Sequence, residues 1–480
     1  MSNSKKIAQT SIKKNYIYNT IYQVLSLITP LITAPYISRV LGSSGVGIYS
    51  YTNSIVTYFT LFAALGTASY GQREIAMHRN DSKASSKLFW EIEFLSITTT
   101  AVSLIIWLIW ICVSTQYTAV YGVLTLSVLA DAFDISWYFG GFEKFKYIVI
   151  RNTVVKITGI ALLFLFVKKE TDILLYVCIM AATGLIGNIS MWTYLPKLLS
   201  KVDFKTLHPF KVHLKQTFLY FIPTIATSVY TVLDKTMIGA ITNSEELNGY
   251  YEQATKIIRM VESLLFSLNT VMVSRQSYLF AEGKTDEIKE KIDKSFEFLF
   301  ALAVPFMFGI WGVAENFVPW FFGNGYKPVV MLLYLMSPLP LVICISNIMG
   351  SQYLTPSGQR ARSSKGIIVG AITNLILIHK FGANGATIAS LAAECVISVV
   401  YVHMSKEFIN WHQIWNALYK KLIAGFVMFL GVLFLGKGYQ GNIIISMVQV
   451  VLGAVIYGIM LIVLKDKVIY DAFRTIKRRE

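Results

Sequence analysis

Charge is scarce in this sequence. Asp, Glu, Lys and Arg make up 15% of its 480 residues, against about 25% in a soluble chain, which excludes an ordinary water-soluble globular protein. Cysteine is scarcer still. Cys112, Cys178, Cys344 and Cys395 each lie in an apolar run, with neither metal-ligand spacing nor a disulfide framework. The histidines (His78, His208, His213, His379, His403 and His412) are scattered, mostly in loops or at span ends. No G-x-x-x-x-G-K-S/T loop is present, which excludes a P-loop ATPase, and no H-E-x-x-H, C-x-x-C or G-x-S-x-G occurs. Nothing points to an enzyme centre, a cofactor or a metal. The first fifteen residues are polar and basic and lack the apolar core and cleavage site of a secretory signal, so the first span is expected to remain as an uncleaved anchor.

Apolar residues are abundant. The chain is 55% hydrophobic and 14% aromatic, with mean hydropathy +0.56. A span needs roughly 20 mostly apolar residues, and fourteen candidates appear: 15–38, 47–70, 88–113, 118–139, 152–167, 173–195, 217–241, 249–273, 295–314, 328–353, 366–380, 385–404, 421–436 and 442–464. The expected class is an all-α integral membrane protein. The net charge of +16 is dispersed between apolar runs and forms no basic domain, so no nucleic-acid partner is expected. The positive-inside rule accounts for it. With the N-terminus cytoplasmic, 33 of the 43 Lys and Arg fall on the inside and six outside, while Lys156, Lys235, Lys256 and Arg259 lie within spans. An error of one span would scramble this alternation, so both termini are read as cytoplasmic.

A weak internal repeat accompanies the topology. Gly47-Ile48-Tyr49 recurs as Gly249-Tyr250-Tyr251, and Lys156-Ile157-Thr158-Gly159 has a counterpart in Ala371-Ile372-Thr373-Asn374. The expected organisation is a six-helix lobe over 1–195, a linker over 196–216, a second six-helix lobe over 217–404, and two further helices with a basic tail over 405–480. Parallel halves with substrate held between them are an established transporter plan. The polar segment 274–294 carries Lys and Glu at helical spacing and reads as a short amphipathic helix.

The most informative residues are charges inside spans, because an ionised group at a membrane-helix centre costs about 2.5–3.5 kcal/mol on insertion scales. The eighth span holds Lys256, Arg259 and Glu262 at i, i+3 and i+6. Each such step drifts about 60° round a helix, so Lys256 and Arg259 share a face and Glu262 is placed to pair with Arg259. Two readings stand: a cationic cavity wall suited to phosphate, or salt bridges that fix helix packing, a reading that Glu252, four residues before Lys256, strengthens. Asp234 and Lys235 lie near the outer end of the seventh span, as a structural pair or in transport. In the fourth span, Asp131 and Asp134 are spaced one turn apart on one face. That pair suits proton or sodium coupling, or interfacial solvation. Glu394 in the twelfth span is a further buried carboxylate and a candidate for the same coupling.

The chain resembles the polysaccharide repeat-unit flippases, which act in O-antigen and capsule synthesis and belong to the multidrug/oligosaccharidyl-lipid/polysaccharide exporter superfamily. The resemblance rests on Pro30-Leu-Ile-Thr-Ala-Pro35-Tyr-Ile-Ser-Arg39-Val-Leu-Gly42 followed by Gly45-Val-Gly47-Ile-Tyr49, and on Leu233-Asp234-Lys235-Thr-Met-Ile-Gly239 before Gly249-Tyr-Tyr251. Tyr353-Leu-Thr-Pro356-Ser-Gly358-Gln359 and Gly382-Ala-Asn-Gly385-Ala386 complete it. It implies two six-helix lobes around a central cavity plus two C-terminal helices. It also implies alternating access that carries an undecaprenyl-pyrophosphate-linked oligosaccharide between leaflets of a bacterial cytoplasmic membrane, with the tail in lipid. Arg39 and the charges of the seventh and eighth spans are the substrate-site candidates it supports, and a polysaccharide polymerase and glycosyltransferases are the partners it suggests. A peptidoglycan-precursor flippase would use similar charges. A multidrug exporter would favour a cavity of carboxylates and aromatics. A membrane polymerase would need a large outer loop, and the longest, around 315–327, holds Lys327 as its one cation.

Overall fold

The computed structural model describes residues 2–266, 269–357, 364–439 and 441–468. Arg360, Arg362 and the basic tail from Arg474 lie outside the described residues. Among those described, the chain is helical, with short turns and no strand. It divides into two compact units, Met1–Thr236 and Met237–Glu480.

In the first unit, α1 (Ser2–Ala64) holds the first two expected spans in one helical run, broken at Gly42. Gly42 has φ +66°, which a side chain rarely adopts, and a Cβ there would lie 3.3 Å from Glu170 Oε1. Hydroxyls within the apolar helix are satisfied locally: Ser26, Thr29 and Thr33 donate to the carbonyls four residues back at 2.8, 2.7 and 2.9 Å. After a left-handed pair, Leu65 and Gly66, come α2 (Thr67–His78) and α3 (Ser82–Val113), the latter capped by Asp81, whose carboxylate accepts from the backbone of Lys83 and Ala84. Next are α4 (Thr118–Asp131), α5 (Ser136–Gly141), α6 (Phe145–Phe166) and α7 (Ile173–Met191). Their core joins Trp107, Tyr121, Leu124 and Val128. Ile105, Ile106, Ile109 and Leu165 face outward, as lipid-facing side chains should.

A long helix, α8 (Pro209–Thr242), begins in the first unit and runs past its boundary at Thr236. Its start is clamped to α2 and α3. A Cβ on Gly66 would lie 2.7 Å from the Thr217 carbonyl oxygen and 2.8 Å from the Phe221 nitrogen, so only glycine permits that approach. Tyr70 lies 2.8 Å from Nδ1 of buried His213, whose Nε2 lies 3.0 Å from Glu91. The His208 N–H donates to the other Glu91 oxygen at 2.9 Å.

The second unit contains α9 (Glu245–Phe266), α10 (Asn269–Ala281), α11 (Thr285–Phe322), α12 (Pro328–Met336) and α13 (Leu339–Asn347). A π-helical turn, Ile348–Leu354, extends α13. Then follow α14 (Ser364–Met404), broken at Gly382 with φ +55°, α15 (Trp411–Gly436) and α16 (Ile443–Val463). The last two helices dock on α11 through Val304, Phe308, Met428, Val432 and Leu461. Close approach depends on missing side chains: a Cβ on Gly312 would lie 2.7 Å from Val432, and one on Gly425 would lie 2.5 Å from Phe308. Lys421 and Asp466 form a buried pair at 2.8 Å between α15 and the end of α16.

Splitting α1 and α14 at their glycines, and joining α2 to the second half of α1, α4 to α5, α9 to α10 and α12 to α13, gives the fourteen expected crossings. Among the described residues, ten stretches are long and apolar enough to cross a membrane on composition alone. The α9 helix is not one of them, because any 18-residue window in it holds more than two ionisable groups. Several boundaries differ from expectation. The short fifth span extends back to Phe145, so it carries Lys146 and Arg151. The expected outer loop at 315–327 is mostly the end of α11, so the turn there is short. The segment 274–294 is not one helix: α10 runs to Ala281 and α11 starts at Thr285.

Candidate functional site

The expected site residues fall in both units. In the second, α9 carries Lys256, Arg259 and Glu262. Lys256 pairs with Glu252 at 3.4 Å, the expected i,i+4 bridge. Arg259 is exposed on the helix surface. Glu262 experiences the charges of both Arg259 and Glu394. Glu394, on the second half of α14, is buried and accepts a 3.4 Å hydrogen bond from Ser346 of α13. Two helices, α9 and α14, thus bring together Arg259, Glu262 and Glu394, which the sequence had divided between substrate binding and ion coupling.

The other faces of α9 are apolar. Ile257 and Val261 line a cavity of about 470 Å³ with Pro305, Phe306, Met428 and Val450, drawn from α11, α15 and α16. On a 3.6-residue repeat these two lie about 100–140° from Lys256 on one side, while Arg259 and Glu262 lie on the other. One helix therefore presents charge to one side and apolar surface to the other. A second cavity of about 290 Å³ is polar, lined by Trp311, Glu315, Asn316, Lys437 and Tyr439, and shares Gln449 with the first.

In the first unit, Arg39 is exposed on the last turn of α1 before the Gly42 break. Asp234 and Lys235 are half-buried on α8. Beside them, Thr236 Oγ1 lies 3.1 Å from the Tyr58 hydroxyl and donates to Ser54 at 2.8 Å, tying α8 to α1.

Asp131 and Asp134 are not on one helical face. The α4 helix ends at Asp131 and the chain turns through Ala132–Ile135 before α5. Asp134, in that turn, accepts from the Ser136 N–H at 2.9 Å and lies 3.7 Å from Arg151 Nη2. Arg151 donates to Asn188 at 2.7 Å, and Asn188 donates to the Ala130 carbonyl at 2.8 Å. A turn with a local side-chain-to-backbone bond stands where spacing alone implied a continuous helix.

Sequence reasoning missed Glu93, which is buried on α3 with neither carboxylate oxygen hydrogen-bonded. Its signal was present: Glu91-Ile92-Glu93 puts two carboxylates two positions apart on a helix, hence on different faces. Glu91 meets His213 on one, and Glu93 meets the field of Asp134 on the other. Among the described residues, no group of three or more His, Cys, Asp or Glu is placed to hold a metal ion.

Comparison with known proteins bears on this arrangement. A family model described as "Polysaccharide biosynthesis protein" matches residues 12–274. A "Putative O-antigen transporter" of Escherichia coli (strain K12) is 25% identical over 398 residues, 81% of this chain and 95% of that protein. Among solved structures, "Lipid II flippase MurJ, inward closed conformation" superposes with a TM-score of 0.73 at 16% identity, covering 95% of this chain and 99% of that one. An inward-facing "multidrug resistance MATE family transporter of the MOP superfamily" gives 0.61 at 11% identity, covering 82% and 95%. Identities this low speak to the fold alone, which this chain shares with those two transporters.

Proposed function

The chain belongs to the polysaccharide biosynthesis protein family, and from that premise we propose that it is a flippase for polyprenyl-pyrophosphate-linked oligosaccharides. It moves the repeat unit of a surface polysaccharide from the inner to the outer leaflet of a bacterial cytoplasmic membrane, with both termini cytoplasmic. The E. coli relative's name, O-antigen transporter, supports this reading. The observation that carries it is the two-sided character of α9. Lys256 and Arg259 offer cations inside the membrane, and Ile257 and Val261 line an apolar cavity on the same helix. An anionic headgroup with a long hydrocarbon tail matches both faces. Guanidinium is suited to pyrophosphate because it binds oxyanions bidentately.

In this proposal Arg259 contacts the pyrophosphate, Lys256 contributes field while bridged to Glu252, and Arg39, Asp234 and Lys235 are further candidates for substrate contact. Buried carboxylates couple the movement to a cation gradient. An organic-cation exporter is the weaker reading, since the central turns of α9 hold two cations against one anion. The test is leaflet-specific labelling of the lipid-linked oligosaccharide in spheroplasts of a strain lacking the protein. Accumulation of unlabelled, inward-facing oligosaccharide is expected, with recovery on complementation. Unchanged outward labelling would refute the assignment. Retention of lipid II instead of the oligosaccharide would transfer it to peptidoglycan synthesis.

A further inference from the structure

Where α4 breaks off in the first unit, four ionisable groups from separate elements converge. Glu93 of α3 is 1% exposed and has two unpartnered oxygens. Asp131, the last residue of α4, has a buried Oδ2 that is also unpartnered. Asp134, in the turn that follows, acts electrostatically on both. Arg151 of α6 faces Asp134, is held by Asn188 of α7, and keeps a buried Nε without a partner. Of the three carboxylates, Asp134 is the one that faces the guanidinium.

A buried polar atom without a hydrogen bond costs free energy, and an ionised carboxylate so placed costs several kcal/mol more. Arg151 does not relieve Glu93, because its groups are directed at Asp134 and Asn188. Two carboxylates under the field of a third cannot all remain ionised in a low-dielectric site. A bound proton removes the charge with no change in packing. A metal ion would need convergent oxygen ligands, and no such group is present among the described residues.

We propose that Glu93 and Asp131 form an exchangeable proton-binding site, with Asp134 as its connection to water and Arg151 as its fixed counter-charge. Asp134 is suited to that role because its side chain is 38% exposed. It also lies at the end of the unit that leads to Lys144 and Lys146, the side read as cytoplasmic. Breaking α4 at Ala132 is what makes the connection: it frees the backbone to turn and sets Asp134 between the buried pair and solvent. The site itself stands on geometry. Its use, drawing movement of cargo from a proton gradient, rests on the flippase reading.

Two measurements on the full-length protein in phospholipid vesicles test it. In pH-difference infrared spectroscopy, a protonated-carboxyl C=O band that titrates and shifts in deuterated water is expected. It should be lost in Glu93→Gln and reduced by about half in Asp131→Asn. The same band in both variants would overturn the proposal. Flipping of undecaprenyl-pyrophosphate-linked oligosaccharide is then compared under imposed proton and sodium gradients. Loss of the proton response in Glu93→Gln supports the site's role. A full proton response in Glu93→Gln, or a wild-type response to sodium alone, sinks that role. A wild-type protein that flips no such lipid would defeat the flippase reading and leave the infrared result to judge the site.

Discussion

The two units solve the same problem differently. Each places carboxylates and one arginine inside the membrane span. In the first unit Arg151 is committed to the protein: it faces Asp134 at 3.7 Å, donates to Asn188 at 2.7 Å, and leaves Glu93 unpartnered. In the second unit the carboxylates are the better supported partners. Glu394 receives a hydrogen bond from Ser346, Glu262 shares its field with Arg259, and Arg259 stays exposed on its helix. Where the arginine is committed, the spare chemistry is acidic and suits a proton. Where it lies at the surface of its helix, the charge presented is basic and suits an anion.

Removing each arginine breaks that contrast most directly. Arg259→Ala should lower surface polysaccharide by roughly 10–100-fold, the equivalent of losing one charge-assisted contact of about 1.5–3 kcal/mol. Membrane-fraction immunoblots should show a normal protein level. Polysaccharide output at the wild-type level would end Arg259's assignment to the pyrophosphate. Arg259→Lys should recover part of the loss, since lysine keeps the charge and loses the bidentate fork.

A pair with no spare valence calibrates both clusters. Lys421 and Asp466 are 1% and 2% exposed and 2.8 Å apart, and Lys421 also donates to the Ala417 carbonyl at 2.9 Å. Lys421→Met should destabilise the protein by about 3 kcal/mol, because it strands a buried carboxylate. Adding Asp466→Leu should restore most of that loss. Thermal unfolding in detergent of the single and double variants measures both. A smaller cost is expected for Arg151→Ala, about 1 kcal/mol, because Asp134 reaches solvent and only Asn188 is left without its partner. If Arg151→Ala proves as damaging as Lys421→Met, the first unit's cluster is structural and the contrast with the second collapses.

Much of this was legible in the sequence, for physical reasons that also mark where legibility stops. Apolar length and the distribution of Lys and Arg define membrane helices almost without tertiary context, so the fourteen crossings follow from them. The glycine at 42 shows as sequence, but that Glu170, 128 positions away, lies close against it does not. Charges within spans stand out because their insertion cost is large, so Arg259 and Glu394 were visible. What spacing cannot supply is the partner. Glu262 meets the field of Glu394 because α9 and α14 pack together, and Asp134 leaves the face of Asp131 because the helix ends at Asp131 and the chain turns before α5. Glu93 sat beside Glu91, near the end of its span, where solvation was the ordinary expectation. Only packing reveals that one glutamate meets a histidine and the other is buried without a hydrogen-bond partner.

The smallest effect concerns exposed acids, and it keeps the pH behaviour of the clusters from being confused with that of caps. Asp81 caps α3, and the N–H groups of Ala84 and Lys83 hold its carboxyl below the usual carboxylate range. Its folded-state affinity for protons is therefore lower than in the unfolded chain. The stability it contributes is complete above the unfolded value of about 3.9 and is lost as pH falls through the lower folded value. Asn caps a helix about as well as Asp but does not titrate in this range. Asp81→Asn should thus match the wild type in thermal stability at neutral pH and lose less of it below about pH 4. Any pH dependence of stability that survives this substitution unchanged above that range must arise elsewhere in the molecule, and the Glu93 and Asp131 variants then show whether the buried cluster is its source.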